Sequence, residues 1–303
     1  MSGPIWRTSR FAIDLARPRV MGIVNVTPDS FSEGGAGLTT AQAIARCEKL
    51  LADGADVLDI GGESSRPGAL PVSVDEELAR VRPVLEAAVE LGCPVAIDTT
   101  KVEVMRAALD LGVDIVNDIF ALRAPGALEL VAAHATCGVC LMHMRGTPRS
   151  MQGEAVYDDV TAEVRSFLRE RVGAARAAGI GEGRIVVDPG IGFGKTPAHN
   201  LEILDHQEAL LALGVPVLVG WSRKSTLAVL AGLPGKAPGG RSAQEQARLV
   251  AASVVAAVLA VERGARIVRV HDVAATVAGL AVWHASQRAD NRAEPSSDRA
   301  STP

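Results

Sequence analysis

Seven glycines in this chain are each followed, with at most two residues between, by a short apolar, largely β-branched run. The glycines are Gly54, Gly92, Gly112, Gly138, Gly183, Gly214 and Gly264. The runs they introduce begin at Val57, Val95, Ile115, Val139, Ile185, Val217 and Ile267. A glycine after a helix adopts the left-handed cap conformation that a Cβ penalises. The runs lack polar alternation, as expected of parallel strands covered on both faces. Val20–Val26 supplies an eighth strand at the start.

Helix-start signals lie between the runs. Thr39…Gln42, Ser73…Glu76 and Thr100…Glu103 each read as a capping box. Val74, Leu78, Val81 and Leu85 fall on one helical stripe. Strand and helix alternating with right-handed crossovers give a parallel sheet, and eight such units favour closure. The expected fold is α/β, a single (β/α)8 TIM barrel of eight parallel strands ringed by helices. Residues 18–285 form its catalytic domain. Residues 1–17 are a lead-in, and the polar stretch 286–303 reads as a disordered tail. Gly232–Gly240 reads as a flexible loop, and 27–39 as a flap after the first strand.

Each run ends in or near a polar residue or glycine: Asn25, Asp59, Asp98, Asn117, His143, Asp188, Gly220-Trp221-Ser222, and Arg269 with His271. In a barrel these ends converge on the rim where the chemistry of this fold is done. Turn formation explains any one of them, but explains poorly so many acids, amides and cations on one rim.

Composition narrows the partners. A net charge of −4 offers no footprint for nucleic acid, although a small anion depends only on local charge. The N-terminus lacks the apolar core of a secretory signal. The longest apolar run, Leu249–Val261, broken only by Ser253, is too short to span a bilayer and reads as a buried helix. No membrane partner is expected. The four cysteines show no disulfide framework, which suits a reducing cytoplasm. His134, Cys137, Cys140 and His143 imitate zinc spacing. However, Cys140 and His143 would point to opposite faces of a strand, so the cysteines read as small hydrophobes. Gly194-Lys195-Thr196 ends like a phosphate loop, but Pro189 stands where that motif needs its first glycine.

Eight stretches, taken in order, are specific. They begin Met21-Gly-Ile-Val-Asn-Val-Thr-Pro-Asp-Ser-Phe-Ser-Glu-Gly-Gly35, Asp59-Ile-Gly-Gly-Glu-Ser-Ser-Arg-Pro-Gly68 and Asp98-Thr-Thr-Lys101. Val116-Asn-Asp-Ile119, Cys140-Leu-Met-His-Met144 and Asp188-Pro-Gly-Ile-Gly-Phe-Gly-Lys195 follow. Gly220-Trp-Ser-Arg-Lys-Ser225 and Arg269-Val-His-Asp-Val273 complete the set. Together they resemble the dihydropteroate synthase family of the folate pathway, over roughly residues 18–284.

That resemblance implies a barrel enzyme. It would join 6-hydroxymethyl-7,8-dihydropterin pyrophosphate to 4-aminobenzoate, release pyrophosphate with Mg²⁺, and be a sulfonamide target. It implies a pterin site of Asp98, Asn117, Met142, Asp188 and Lys224. It assigns the pyrophosphate to Asn25, Arg66, Arg269 and His271, with Asn25 also on the metal. It assigns the aminobenzoate and its loops to Asp29, Phe31, Ser65, Pro67, Phe193 and Ser225. Asp98, Asp188, Lys224, Arg269 and His271 carry the catalysis. A homodimer is also implied.

The chemistry suits these residue types. A carboxylate accepts two parallel hydrogen bonds from a guanidine-like pterin edge. Arg269 and His271, two apart on a strand, share a side. C–O cleavage would give a ring-stabilised cation, which a weakly basic arylamine attacks without a strong general base. Glu33, Ser65, Thr100-Lys101-Val102, Ile191 and Trp221 depart from the family's usual Asp, Thr, Ser-Lys-Pro, Phe and Met. Two alternatives stay open: a pterin barrel serving a methyltetrahydrofolate methyltransferase, and a non-catalytic pterin-binding paralogue.

Overall fold

A computed structural model describes residues 4–27, 39–66, 68–234 and 240–293. Its eight parallel strands are β3 (Arg19–Asn25), β4 (Val57–Gly61), β5 (Val95–Asp98), β6 (Ile115–Asp118), β7 (Gly138–Met142), β8 (Ile185–Asp188), β9 (Leu218–Val219) and β10 (Ile267–Val270). They lie side by side in the order β8-β7-β6-β5-β4-β3-β10-β9. A parallel bridge between Val187 and Val217 joins the two ends, and the barrel closes. Outside it run α1 (Thr40–Ala52), α2 (Val74–Ala88), α3 (Val102–Asp110), α4 (Ala127–Ala133), α5 (Val160–Ala177), α6 (Pro197–Asp205), α7 (Ser225–Leu230), α8 (Ala243–Glu262) and α9 (Val273–Ala293).

Five of the seven glycines have the left-handed backbone the sequence implies: Gly54, Gly92, Gly112, Gly214 and Gly264. The other two do not. Gly138 is already the first residue of β7, where an added Cβ would lie 3.0 Å from Trp6 Nε1. Close approach, not a helix cap, keeps it small. Gly183 sits in a short 3-10 turn, and α5 is closed instead by Gly179 at φ 93°.

The capping expectations divide likewise. Thr39 and Gln42 form a full capping box. Ser73 accepts from Glu76 N, but the Glu76 carboxylate turns to Arg80 instead. The third box does not form: α3 starts at Val102, and its N-cap, Lys101, makes no side-chain cap.

The N-terminal lead-in carries structure of its own. β1 (Ile5–Arg7) and β2 (Ala12–Asp14) form an antiparallel hairpin. Trp6, Ile13 and Leu15 cover the lowest layer inside the barrel, made of Met21, Val57, Ala96, Ile115, Cys140, Val186, Leu218 and Ile267. Trp6 Nε1 donates to Arg184 O at 2.9 Å, so the buried indole is satisfied. At the other end α9 runs to Ala293, well past position 286.

The apolar helix α8 differs from expectation. It is long and apolar enough, by length and composition, to cross a bilayer. It packs instead on the barrel through Leu249, Ser253, Ala256, Ala257, Ala260 and Val261. Only that face is buried, and Val255 on the other face is 58 % exposed.

Candidate active site

Side chains alternate along a strand, so the residue two beyond each member of the lowest layer also points inward. Counting two on from Met21, Val57, Ala96, Ile115, Cys140, Val186, Leu218 and Ile267 gives Ile23, Asp59, Asp98, Asn117, Met142, Asp188, Gly220 and Arg269. One step along the barrel axis, a wholly apolar layer gives way to three acids, an amide and a guanidinium. Two further residues along, the strand ends present Asn25, Ser222 and His271. The polar residues therefore gather at the C-terminal end of the barrel.

The charged members are wired together. Arg269 Nε donates to Asp59 Oδ2 at 2.5 Å, and Nη2 to Asp98 Oδ2 at 2.5 Å. Asn117 Nδ2 lies 3.3 Å from both oxygens of Asp59. Asp59 is fully buried and holds both Arg269 and Asn117 in place. Asp59 is a functional residue that the family resemblance does not assign, and its signal in the sequence is its place in the inward alternation.

Burial pushes the Asp98 carboxyl up to about 7, with Arg269 pulling it down and Asp59 raising it. Burial also raises Asp188, against the Gly190 N–H, Lys224 and Arg269. The Lys224 ammonium is lowered to about 8 by burial and by Arg269, with Asp188 and Asp98 opposing. Burial opposes the Arg269 charge, but Asp59 and Asp98 outweigh it and raise the guanidinium further.

Lys224 Nζ stands 4.1 Å from the centroid of the Phe193 ring, a cation–π contact. Phe193, Met142, Ile119, Met144 and Met151 form an apolar cluster at the mouth, with Phe120 packed against it. The turn carrying Ile119 and Phe120 is strained. Ala121 and Leu122 are both left-handed, at φ 54° and 56°. Asp118 holds the turn by accepting from Phe120 N and Leu122 N at 2.8 Å each, and Arg171 Nε donates to Ala121 O at 2.9 Å.

His271 is half-buried, and its imidazole is held well below the usual range by burial and by Arg223, Arg269, Arg66 and Lys224. The His271 backbone N–H donates to Ser222 Oγ at 3.1 Å, and Oγ lies 3.1 Å from Nδ1. Ser222 thus fixes both the backbone and the ring of His271 through one hydroxyl. Arg66, exposed on the loop after β4, adds to the positive field at Lys224 and His271. Ser65 is half-buried on the same loop, and exposed Ser225 begins α7. Asn25 ends β3 in register with Gly61. Asp29, Phe31, Glu33 and Pro67 lie outside the described residues.

Two residues singled out in sequence are used elsewhere. His143 is not in the mouth. Its ring packs edge-on against Phe167 of α5 at 4.9 Å, and burial with Lys195 lowers its pKa to about 2. Lys195 is buried beneath the loop after β8. Its Nζ reaches His143 Nδ1 at 2.9 Å and the carbonyls of Gly190 and Phe193 at 3.0 Å each. Cys137 packs among the outer apolar residues and Cys140 in the lowest inner layer, so the imitation zinc set is split between faces.

Residues 21–271 match the model of a family described as pterin binding enzymes. A dihydropteroate synthase of Neisseria meningitidis serogroup C is 48% identical over 288 residues, covering 94% of this chain and 98% of that protein. The chain belongs to the dihydropteroate synthase family. A Xanthomonas albilineans family member solved with 4-aminobenzoic acid is 49% identical, with a TM-score of 0.85 over 97% of this chain and 100% of that one. The same organism's enzyme in complex with 7,8-dihydropteroate is 48% identical, with a TM-score of 0.82 over 96% of this chain and 100% of that one. Likeness to the dihydropteroate synthases thus runs over nearly the whole chain.

Proposed function

We propose that this chain catalyses the condensation of 6-hydroxymethyl-7,8-dihydropterin pyrophosphate with 4-aminobenzoate, forming 7,8-dihydropteroate and pyrophosphate. The single observation that carries the reading is the polar inner layer, with Asp98, Asn117 and Asp188 set against Arg269 and Lys224. Asp98, Asn117 and Asp188 take the pterin's donor edge, Lys224 bonds its acceptor atoms, and Met142 packs on the ring. Arg269, His271 and Arg66 hold the departing pyrophosphate, where negative charge develops as the methylene carbon–oxygen bond breaks. The Ser222 hydroxyl holds the His271 ring in place there. Phe193, Ser65 and Ser225, with Pro67, Asp29 and Phe31, receive the aminobenzoate, whose amine attacks the methylene carbon and loses its proton.

Among the described residues no group of three or more His, Cys, Asp or Glu is arranged for a metal ion. One amide oxygen, from Asn25, suits Mg²⁺ that takes its remaining ligands from phosphate and water. Asn25 would hold it. Bound there, Mg²⁺ would neutralise the charge building on the pyrophosphate.

We also infer a homodimer formed through the outer faces of α8 and α9. Val255 is 58 % and Val282 73 % exposed. Cys47, Cys93, Cys137 and Cys140 are free, which suits the cytoplasm.

Turnover with both substrates and Mg²⁺ tests the reading, by pyrophosphate release and by product identification. No pyrophosphate release at any Mg²⁺ concentration refutes it. Arg269→Ala is expected to weaken pyrophosphate binding with the fold intact.

A further inference from the structure

Where the loop after β4 leaves the barrel, its two ends are tied to each other and to two helices. Glu63, at the start, accepts from Val72 N, at the end, at 2.9 Å through Oε1. Its other oxygen, Oε2, takes Lys101 Nζ at 2.8 Å. Lys101 Nζ also reaches Oε2 of the fully buried Glu77 on α2 at 2.6 Å. Arg80 Nη1 donates to Gly62 O at 2.7 Å, and a Cβ on Gly62 would lie 2.7 Å from Val81 Cγ1, so the loop base is pressed onto α2. Across the mouth, Gly68 N donates to Pro148 O at 3.1 Å. Glu63, Ser64, Ser65, Asp98, Lys101 and Phe120 all line one cleft of about 250 Å³.

The arrangement is a closed neck. Glu63 bridges the two ends of the 64–71 segment, and Lys101 fastens that bridge to the rigid wall of α2. Burial works against the Lys101 charge, and Glu63 and Glu77 outweigh it, so the ammonium stays charged. None of the three shares a hydrogen bond with the inner polar layer, although the Glu77 charge is felt at Asp98, and the mechanism above does not use them. Their effect passes through the segment that carries Ser65 and Arg66.

We propose that Glu63 and Lys101 are positioning residues that set the 64–71 loop over the mouth and so govern the aminobenzoate half of the reaction. The proposal rests on the reading that this loop meets the aminobenzoate. It separates the two substrates, because the pterin is held by β5, β6 and β8, outside the clamp. A merely structural role would lower thermal stability and leave the ratio of the two KM values alone.

The experiment is steady-state kinetics on the full chain, with the KM of each substrate, kcat and Tm measured for Glu63→Ala, Glu63→Gln, Lys101→Met and Ser65→Ala. Glu63→Ala and Lys101→Met are expected to raise the aminobenzoate KM about tenfold while the pterin KM changes less than about threefold. Glu63→Gln keeps an acceptor for Val72 N and is expected to fall between wild type and Glu63→Ala. Lys101→Met leaves Glu77 without its cation, so its Tm drops furthest. If it fails to fold, the two Glu63 variants carry the test. An unchanged aminobenzoate KM in Glu63→Ala, with a raised one in Ser65→Ala, overturns the clamp and leaves the site reading standing. Both KM values rising together also overturns it. If Ser65→Ala leaves the aminobenzoate KM unchanged, the loop assignment falls and the clamp with it.

Discussion

Arg269 and Asp98 are ion-paired across the barrel, Nη2 to Oδ2 at 2.5 Å, although they come from strands 171 residues apart in sequence. Asp59 takes the second face of the same guanidinium, at 2.5 Å from Nε. The acid assigned to the pterin and the cation assigned to the pyrophosphate therefore share one network. A pterin that claims both oxygens of Asp98 must displace or share Arg269.

That coupling sets a pH dependence. Burial puts the Asp98 carboxyl at about 7, and Arg269 is the main influence lowering it. A pterin donor edge binds the ionised form, so affinity should weaken by about tenfold per pH unit below pH 7. Arg269→Ala should move that fall to higher pH. Stability runs the other way: between about pH 4 and 7 the folded chain keeps a proton that the unfolded chain has lost, so Asp98 makes stability decline as pH rises through this window. Calorimetric titration of a pterin from pH 5.5 to 8.5 is the check. A flat profile, or a downward shift in the variant, would contradict it.

Asp98→Ala and Asp188→Ala should each abolish measurable pterin binding. Removing either carboxylate leaves a buried donor edge unpaired, at a cost of about 3 kcal/mol or on the order of 100-fold in Kd. Equilibrium binding of a pterin without the second substrate isolates the effect. Unchanged affinity in either variant would remove that residue from the site.

Lys195→Met should lower stability by about 2–4 kcal/mol, because the buried carbonyls of Gly190 and Phe193 each lose a donor. Function should suffer too. Gly190 N donates to Asp188 Oδ1 at 2.7 Å, so the loop Lys195 fastens carries one contact to the acid assigned to the pterin, and it carries Phe193. Chemical denaturation with parallel kinetics measures both; a stability change below about 0.5 kcal/mol would show the amine to be dispensable.

Much of the site was legible before the structure because strand alternation is a strict code. Once Val57, Ala96 and Ile115 are placed in a barrel layer, Asp59, Asp98 and Asn117 must share the next. Legibility ended where side chains choose partners outside their own element. His143 ends its strand like the other polar residues, yet it turns to Lys195 and Phe167. The hairpin at Ile5–Asp14 is too short for periodicity to reveal, since only Trp6 and Ile13 are its buried strand residues. Lys101, between the Thr100 and Glu103 that read as a capping box, is the cation between two glutamates. Gly138 and Gly183 imitate helix closures because glycine serves close contact and 3-10 turns equally well.

Glycines with the same backbone should respond differently to substitution. Gly190 and Gly92 have φ 69° and 72°. A Cβ on Gly190 would lie 1.9 Å from His143 O, whereas one on Gly92 meets nothing within 4 Å. Gly92→Ala should cost only the conformational penalty, about 1 kcal/mol. Gly190→Ala must also push the loop off β7, so it should cost more than about 3 kcal/mol and reduce pterin affinity. Comparable Tm losses in the two variants would show that the contact at Gly190 relaxes freely.

The exposed apolar face of α8 and α9 argues for self-association. Gly279 lets the two helices close on each other, since a Cβ there would lie 2.5 Å from Val254 Cγ1. Val255 and Val282 then stand outward on neighbouring helices. Two-fold pairing would bury this face against its own copy, which is how apolar patches on symmetric oligomers are satisfied. Val255→Asp combined with Val282→Asp places like charges opposite each other in such a pair and leaves the barrel interior untouched. Sedimentation should give a dimer for the wild type and a monomer for the double variant, with the pterin Kd changed less than about threefold because the mouth lies at the strand ends. A wild-type monomer at micromolar concentration would refute the assembly. A dimer that survives both substitutions would move the interface to another face.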